Sequence, residues 1–375
     1  MIAVRKLVTV VALVFVLAAG AAGVAAWLGW NDIHESYKGY DAPEQFVTIR
    51  QGAASGEIGR VLADAHIVRD ARLFRGALWW TGEGRNLKAG EYRFDHAVTP
   101  FDVVDVLVQG EVYTQRITFP EGLTIEEMSK LYETHGFGRA RDFVAAAKTV
   151  ERIRDLDPEA PDLEGYLFPE TYPLPRNVPA SRLIDAMVDR FRAVYGEDLR
   201  ARAAAEGLTT RQVVTLASIV EKETGKAEER PVVAAVFRNR LQIGMPLQTD
   251  PTIVYALEKA HRYDGNIRRD DLAMDSPYNT YKNPGLPPGP IASAGKAALE
   301  AAVMPADVPY LYFVSRNDGS HVFAKTFAEH SANVRKFQVE YFRNQRVAAG
   351  RAQGTGTGGS GLGTGRGNAG VVKRR

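Results

Sequence analysis

The chain has no cysteine among its 375 residues, which excludes a disulfide framework and any thiolate nucleophile or thiolate metal site. It has no dominant charge either. Its 47 Lys and Arg face 45 Asp and Glu, and the basic residues form no stripe in the body of the chain, so no nucleic-acid partner is expected. Neither a P-loop nor a G-x-S-x-G elbow occurs. The seven histidines (His34, His66, His96, His135, His261, His321, His330) never stand four apart around an acid, so no metal and no cofactor is expected. Carboxylate chemistry is what remains.

Charge is also missing from Leu7 to Trp30. At about 1.5 Å per helical residue, that run is long enough to cross a hydrocarbon core of roughly 30 Å. Arg5 and Lys6 precede it and the acidic "NDIHE" follows, so residues 1–6 are expected in the cytoplasm, 7–30 in the cytoplasmic (inner) membrane as a single-pass anchor, and the rest on the extracytoplasmic side. A cleaved signal peptide competes with this reading, because "LAAGAAGVAA" holds the small residues a cleavage site needs. The length of the run and its ending in Trp27 and Trp30 suit an anchor better.

Beyond a polar connector at 31–44, the pattern is α+β. "EQFVTIRQGAASGEIGRVLADAHIV" reads as a strand, a turn and a helix with Ile58, Val61 and Leu62 on one side. "LKAGEYRF" and "VVDVLVQGEV" add a strand and a helix, completing a small domain over 45–113. A second strand-turn-helix follows in "RITFPEGLTIEEMSKLYETHGF", where Thr124 and Glu127 have capping-box spacing. The larger region, 114–345, contains "TTRQVVTLASIV", apolar nearly all round and so a buried central helix, and "RPVVAAVFRNRLQIG", a helix stopped by Gly244. "PYLYFVSRNDGSHVFAKTF" reads as a β-hairpin turning at Asp318-Gly319. From 346 to 375 the chain is Gly-rich, too poor in apolar residues to fold, and reads as a disordered tail.

The buried helix runs into "VEKET", and the question is whether Glu221 or Glu223 is a working acid. Glu223 continues the bulkier stripe Gln212, Leu216, Ile219, Val220, which implies deeper burial and a raised pKa, as a general acid needs. A buried pair with Arg238 or Arg240 explains Glu223 equally well from the helix alone. "LEGYLFPETYPL", "MPLQTDPTIVYAL" and "SPYNTYKNPGLPPGPIAS" read as loops rich in Tyr, Asn, Gln, Asp and Pro. Aromatic faces beside hydrogen-bonding side chains suit a sugar groove, and proline turns reduce the ordering cost of binding.

These stretches, with "ASIVEKET", "VFRNRLQIGMPLQTDPT" and "PYLYFVSRNDGSHVFAKTFAEH", resemble in order the YceG family of endolytic murein transglycosylases, the MltG type, over about residues 45 to 340. The resemblance implies a LysM-like peptidoglycan-binding domain at 45–113 and a transglycosylase catalytic region at 114–345. It places the catalytic acid/base on Glu223, the glutamate followed by Thr. Gln248, Thr249, Asp250, Tyr278, Asn279, Thr280 and Tyr281 fall on motif positions expected to line the glycan groove, with Glu164 and Glu170 as further binding candidates. The implied reaction is cleavage of the β-1,4 bond between N-acetylmuramic acid and N-acetylglucosamine in nascent strands. No water enters, and a 1,6-anhydro end results, which would terminate strand elongation. Implied partners are glycan strands, the membrane and peptidoglycan synthases. Two alternatives stay open: a non-catalytic membrane-anchored scaffold, and a hydrolytic muramidase with Glu164, Glu170 or Asp250 as second carboxylate.

Overall fold

A computed structural model describes residues 2–346 except 177; the Gly-rich tail lies outside the described residues from 347 on. The fold is mixed α+β and divides into two units, Met1–Arg116 with Pro173–Asn177, and Ile117–Tyr172 with Val178–Arg375.

In the first unit, α1 (Ile2–His34) carries the apolar run, and its stretch Leu13–His34 is long and apolar enough to cross a membrane, with a mean hydropathy of 1.9. β1 (Gln45–Ile49) is followed by α2 (Ser55–Asp64), α3 (Ala71–Thr81), β2 (Gly90–Phe94) and α4 (Pro100–Gln109). The two strands pair antiparallel, Val47 opposite Tyr92 and Ile49 opposite Gly90. Period-two alternation turns Val47, Ile49, Tyr92 and Phe94 inward, where they meet Ile58 and Leu62 of α2, Phe74 and Leu78 of α3, and Val103 and Leu107 of α4. Thr99 and Asp102 form a capping box that starts α4, with Pro100 in its first turn. Within this unit Arg176 binds Glu91 at 2.6 Å and lies 3.5 Å over the Phe46 ring.

β3 (Gln115–Thr118) and β4 (Thr171–Leu174) form a two-stranded sheet. The stretch around β4 reads as loop in the sequence. It becomes a strand through partners far along the chain: Thr118 and Thr171 join hydroxyls at 2.7 Å, and the Phe119 amide donates to the Glu170 carbonyl at 3.0 Å.

The second unit adds α5 (Ile125–Thr134), α6 (Ala140–Ala146), α7 (Ala180–Val194) and α8 (Glu197–Ala205) around α9 (Thr210–Glu223). A Thr209–Gln212 capping box starts α9, and every residue from Val213 to Val220 is buried. It packs against α8, α10 (Arg230–Gln242), α11 (Asp250–Lys259) and α12 (Lys296–Val303), as a helix apolar all round must. Gly165 is required here. Its φ is +81°, and a Cβ would lie 2.4 Å from Pro290 and 2.9 Å from Val214 of α9. Further along, β5 (Tyr312–Ser315) runs antiparallel to β6 (His321–Ala324), as read around Asp318-Gly319, followed by α13 (Phe327–Val334) and a π-helical turn at Arg335–Glu340.

Candidate active site

α9 ends where Thr224 turns extended (φ −138°, ψ 132°), so Glu223 is its last residue and leaves the core while the helix behind it stays buried. The two glutamates take different surroundings. Glu221 is almost fully buried, bonded to the Arg230 guanidinium at 2.7 Å and accepting the Gly295 amide at 3.0 Å. Arg230 also reaches Glu121 at 3.2 Å. Burial, and then the neighbouring Glu221, hold the Glu121 carboxyl above its usual range. Glu221 is therefore committed to bonds within the fold.

Glu223 instead accepts a hydrogen bond from the Thr249 hydroxyl and lines a cavity of about 230 Å³. Gln248, Asp250, Tyr281, Arg240, Tyr312 and His330 line the same cavity. A second cavity of about 420 Å³ is also lined by Glu223, with Thr224, Ser315, Asn317 and His321. Glu223 and Ser315 are common to both, so the carboxyl stands at the junction of two open spaces.

The surrounding groups are held by buried bonds. Glu229 accepts the Thr224 hydroxyl at 3.1 Å, and the amide and Nδ1–H of His321 at 2.8 and 2.7 Å. Burial works against its ionisation, but the His321 bonds outweigh it and keep the Glu229 carboxyl below its usual range. This pins the residue after Glu223 to the start of β6. Arg240 donates Nε to the Leu311 carbonyl at 2.7 Å and Nη1 to Leu247 at 2.6 Å. Burial pulls its pKa down, against the opposing pull of Tyr312, Glu223 and Tyr281. Of the two arginines that could have neutralised Glu223, Arg238 pairs with Glu206 and Arg240 shares the cavity. His330 stacks on Tyr312 at 5.1 Å, and burial, then Arg240, hold its pKa below the usual imidazole range.

The candidate groove residues divide. "MPLQTDPTIVYAL", read as loop, holds α11 from Asp250 on, with Pro251 in its first turn. Gln248 sits at φ +47°, uncommon for a side-chain-bearing residue, with its amide donating to the Thr280 carbonyl at 3.1 Å. Asp250 accepts the Tyr281 hydroxyl at 2.6 Å. Asn279 and Thr280 are buried: Asn279 binds the Leu272 and Met274 carbonyls, and Thr280 accepts the Thr249 amide. They shape the loop and do not face the cavity. Tyr278 and Glu164 line a different space of about 130 Å³, and Glu164 also lines one of about 600 Å³ with Tyr255, Lys259 and Tyr263. Glu164 accepts the Ile125 amide at 3.1 Å, and burial pushes its pKa up to about 8. Glu170 is bonded to Arg190 at 2.5 Å, away from the cavities named here.

Tyr312, Ser315 and His330 are cavity residues that no motif in the sequence marks as groove-lining, and Arg240, which the sequence offers only as an ion-pair partner of Glu223, lines the cavity with them. The signal was present in the quoted "VFRNRLQIG" and "PYLYFVSRNDGSHVFAKTFAEH", but only the pairing of β5 with β6 and the return of α13 bring these residues to Glu223.

Residues 47–336 match the model of the YceG-like family. The chain belongs to the YceG/MltG-like family of endolytic murein transglycosylases. A relative from Bacillus subtilis (strain 168) described as an endolytic murein transglycosylase is 32% identical over 309 residues, 78% of this chain and 84% of its own. A pneumococcal protein of the same description (Streptococcus pneumoniae strain R6) is 30% identical over 86% of this chain, which spans 63% of that relative's length. The crystal structure of a putative yceG-like protein from Listeria monocytogenes superposes with a TM-score of 0.53 at 30% identity, covering 77% of this chain and 98% of that one.

Proposed function

We propose that this family member cleaves the β-1,4 bond between N-acetylmuramic acid and N-acetylglucosamine in nascent glycan strands, leaving a 1,6-anhydromuramic end, with Glu223 as the acid and base. The observation that carries this is the position of Glu223 at the junction of two cavities, which lets a strand continue on both sides of the reacting bond, as endolytic cleavage requires.

Thr249 holds Oε1 of Glu223, and the protonated carboxyl of Glu223 is the acid. That proton passes to the bridging O4 of the leaving N-acetylglucosamine as the C1–O bond breaks. The 2-acetamido oxygen shields the cationic C1. The Glu223 carboxylate then takes the proton of the muramic C6 hydroxyl while O6 bonds to C1, so the acid is restored and no water is consumed. Arg240, fixed by two backbone carbonyls, stabilises the carboxylate at the moment it forms. General acid-base help supplies about a hundred- to ten-thousandfold.

α1 serves as a retained single-pass anchor that runs unbroken to His34 and packs on α3 and α4, with the transglycosylase region (114–345) outside the cytoplasm. The 45–113 segment, with its own core and strand–helix–helix–strand start, is read as the LysM-like glycan-binding domain. Peptidoglycan synthases at the membrane surface are the expected partners, and strand termination the expected outcome.

Asp250 in the Glu223 cavity supports one second reading, hydrolysis with Asp250 as the other carboxylate. Product mass decides between them. Digestion of purified glycan strands gives anhydro ends if O6 is the nucleophile, and reducing ends heavier by one water if hydrolysis occurs.

A further inference from the structure

All four tryptophans of the chain, Trp27, Trp30, Trp79 and Trp80, fall in two pairs that the first unit brings together. Trp30 of α1 meets Trp80 of α3 edge-on, with ring centroids 5.0 Å apart. One turn back along α3, a Cβ on Gly76 would lie 3.1 Å from Ile33, so the small residue lets the two helices approach closely. The end of α1 is tied to this unit further by His34 against Phe101 at 5.1 Å and by Arg69 to Glu35 at 3.1 Å.

These contacts fix a direction. From Gly76 to Trp80, α3 advances by about 6 Å, while its neighbours on α1 run backwards from Ile33 to Trp30, from the end of the apolar stretch toward its middle. The C-terminal end of α3 therefore points at the bilayer. There it presents Trp79 and Trp80, 80% and 62% exposed, although the opposite face of the same helix buries Phe74, Ala77 and Leu78. Two adjacent, largely uncovered tryptophans at this level have the amphipathic character of a membrane-interface belt. Arg72 and Arg75, exposed on the same stripe as Trp79, stand about 10 and 6 Å farther from that end.

We infer that α3 is a second membrane contact of this protein: its C-terminal end enters the headgroup–acyl boundary of the bilayer spanned by α1, seating Trp79 and Trp80 beside Trp30. The first unit is then held flat against the membrane by two elements and does not swing on a single tether. This inference is independent of the chemistry at Glu223.

Tryptophan emission reads the inference directly, because no tryptophan lies elsewhere. The full chain carrying Trp27→Phe and Trp30→Phe, so that only Trp79 and Trp80 emit, is reconstituted in phosphatidylcholine–phosphatidylglycerol vesicles, with or without acyl chains brominated near the glycerol. The expected result is a blue-shifted emission, most of it lost with brominated lipid, and little quenching by acrylamide from the water. Emission typical of water-exposed tryptophan, quenched by acrylamide and indifferent to bromine, overturns the inference. So does emission shielded from both, which means a protein partner or a second copy covers the pair. If the double variant does not fold by circular dichroism, a spin label on Trp79→Cys, unique in a cysteine-free chain, decides instead. Collisions with oxygen exceeding those with a water-soluble nickel chelate support membrane contact, and the reverse overturns it.

Discussion

Thr249 donates its hydroxyl to Oε1 of Glu223, joining the residue before α11 to the last residue of α9. A hydrogen bond to a group that ionises during the reaction is worth about 1.5–3 kcal/mol. Thr249→Val should therefore lower kcat by about ten- to a hundredfold with little change in KM, while Thr249→Ser keeps most of it. Steady-state rates on a defined glycan oligomer check this.

Glu221 lies two residues earlier on the same helix but is committed to Arg230. Replacing it by Gln leaves a buried guanidinium short of a partner, a loss on the order of 3 kcal/mol, at the low end of the usual range because Glu121 remains nearby. Thermal and urea unfolding should show that loss for Glu221→Gln. Glu223→Gln should unfold close to wild type and lose activity instead.

Gln248 holds a left-handed backbone at the cavity edge, a conformation that costs a side-chain-bearing residue roughly 1–2 kcal/mol. Gln248→Gly relieves that cost and deletes the amide. Stability should hold or rise slightly, while kcat/KM falls by about two- to tenfold, the worth of one neutral hydrogen bond to substrate. An unchanged kcat/KM would mean that the side chain does not contact the glycan.

Glu164 gives a pH signature. Its carboxyl titrates near 8 in the folded chain, raised by burial from an ordinary value of 4.5, so between these values the native state holds a proton that the unfolded state has released. Stability is then fully present below about pH 4.5 and declines as pH rises toward 8, by up to about 1.4 kcal/mol per unit from this group. Urea titrations of wild type and Glu164→Gln from pH 5 to 8 should diverge, the variant gaining relative to wild type as pH rises. Parallel curves would show that Glu164 titrates as an ordinary surface acid.

Local signals were legible where one residue pattern decides one element. The all-apolar run at 213–220 marked α9 as central, Gly244 marked the end of α10, and the alternation around Asp318-Gly319 marked β5 and β6. α3 went unread because Trp79 and Trp80 add apolar residues to its outer face and blur the 3.6-residue period that Phe74, Ala77 and Leu78 would otherwise show. β4 and the Tyr281–Asp250 bond depend on partners dozens of residues away, which no local window contains. For the site, the sequence brought Gln248, Asp250, Tyr281 and Glu223 into one expectation. It could not separate them from Asn279 and Thr280, whose polar groups turn inward to hold the loop.

The most direct test of Glu223 as the acid is mass spectrometry of products from purified glycan strands incubated with the full chain, comparing wild type, Glu223→Gln and Glu221→Gln at a temperature where all three are folded. Wild type and Glu221→Gln should give 1,6-anhydro ends, and Glu223→Gln none. Anhydro products persisting in Glu223→Gln, or reducing ends from wild type, would contradict that role of Glu223.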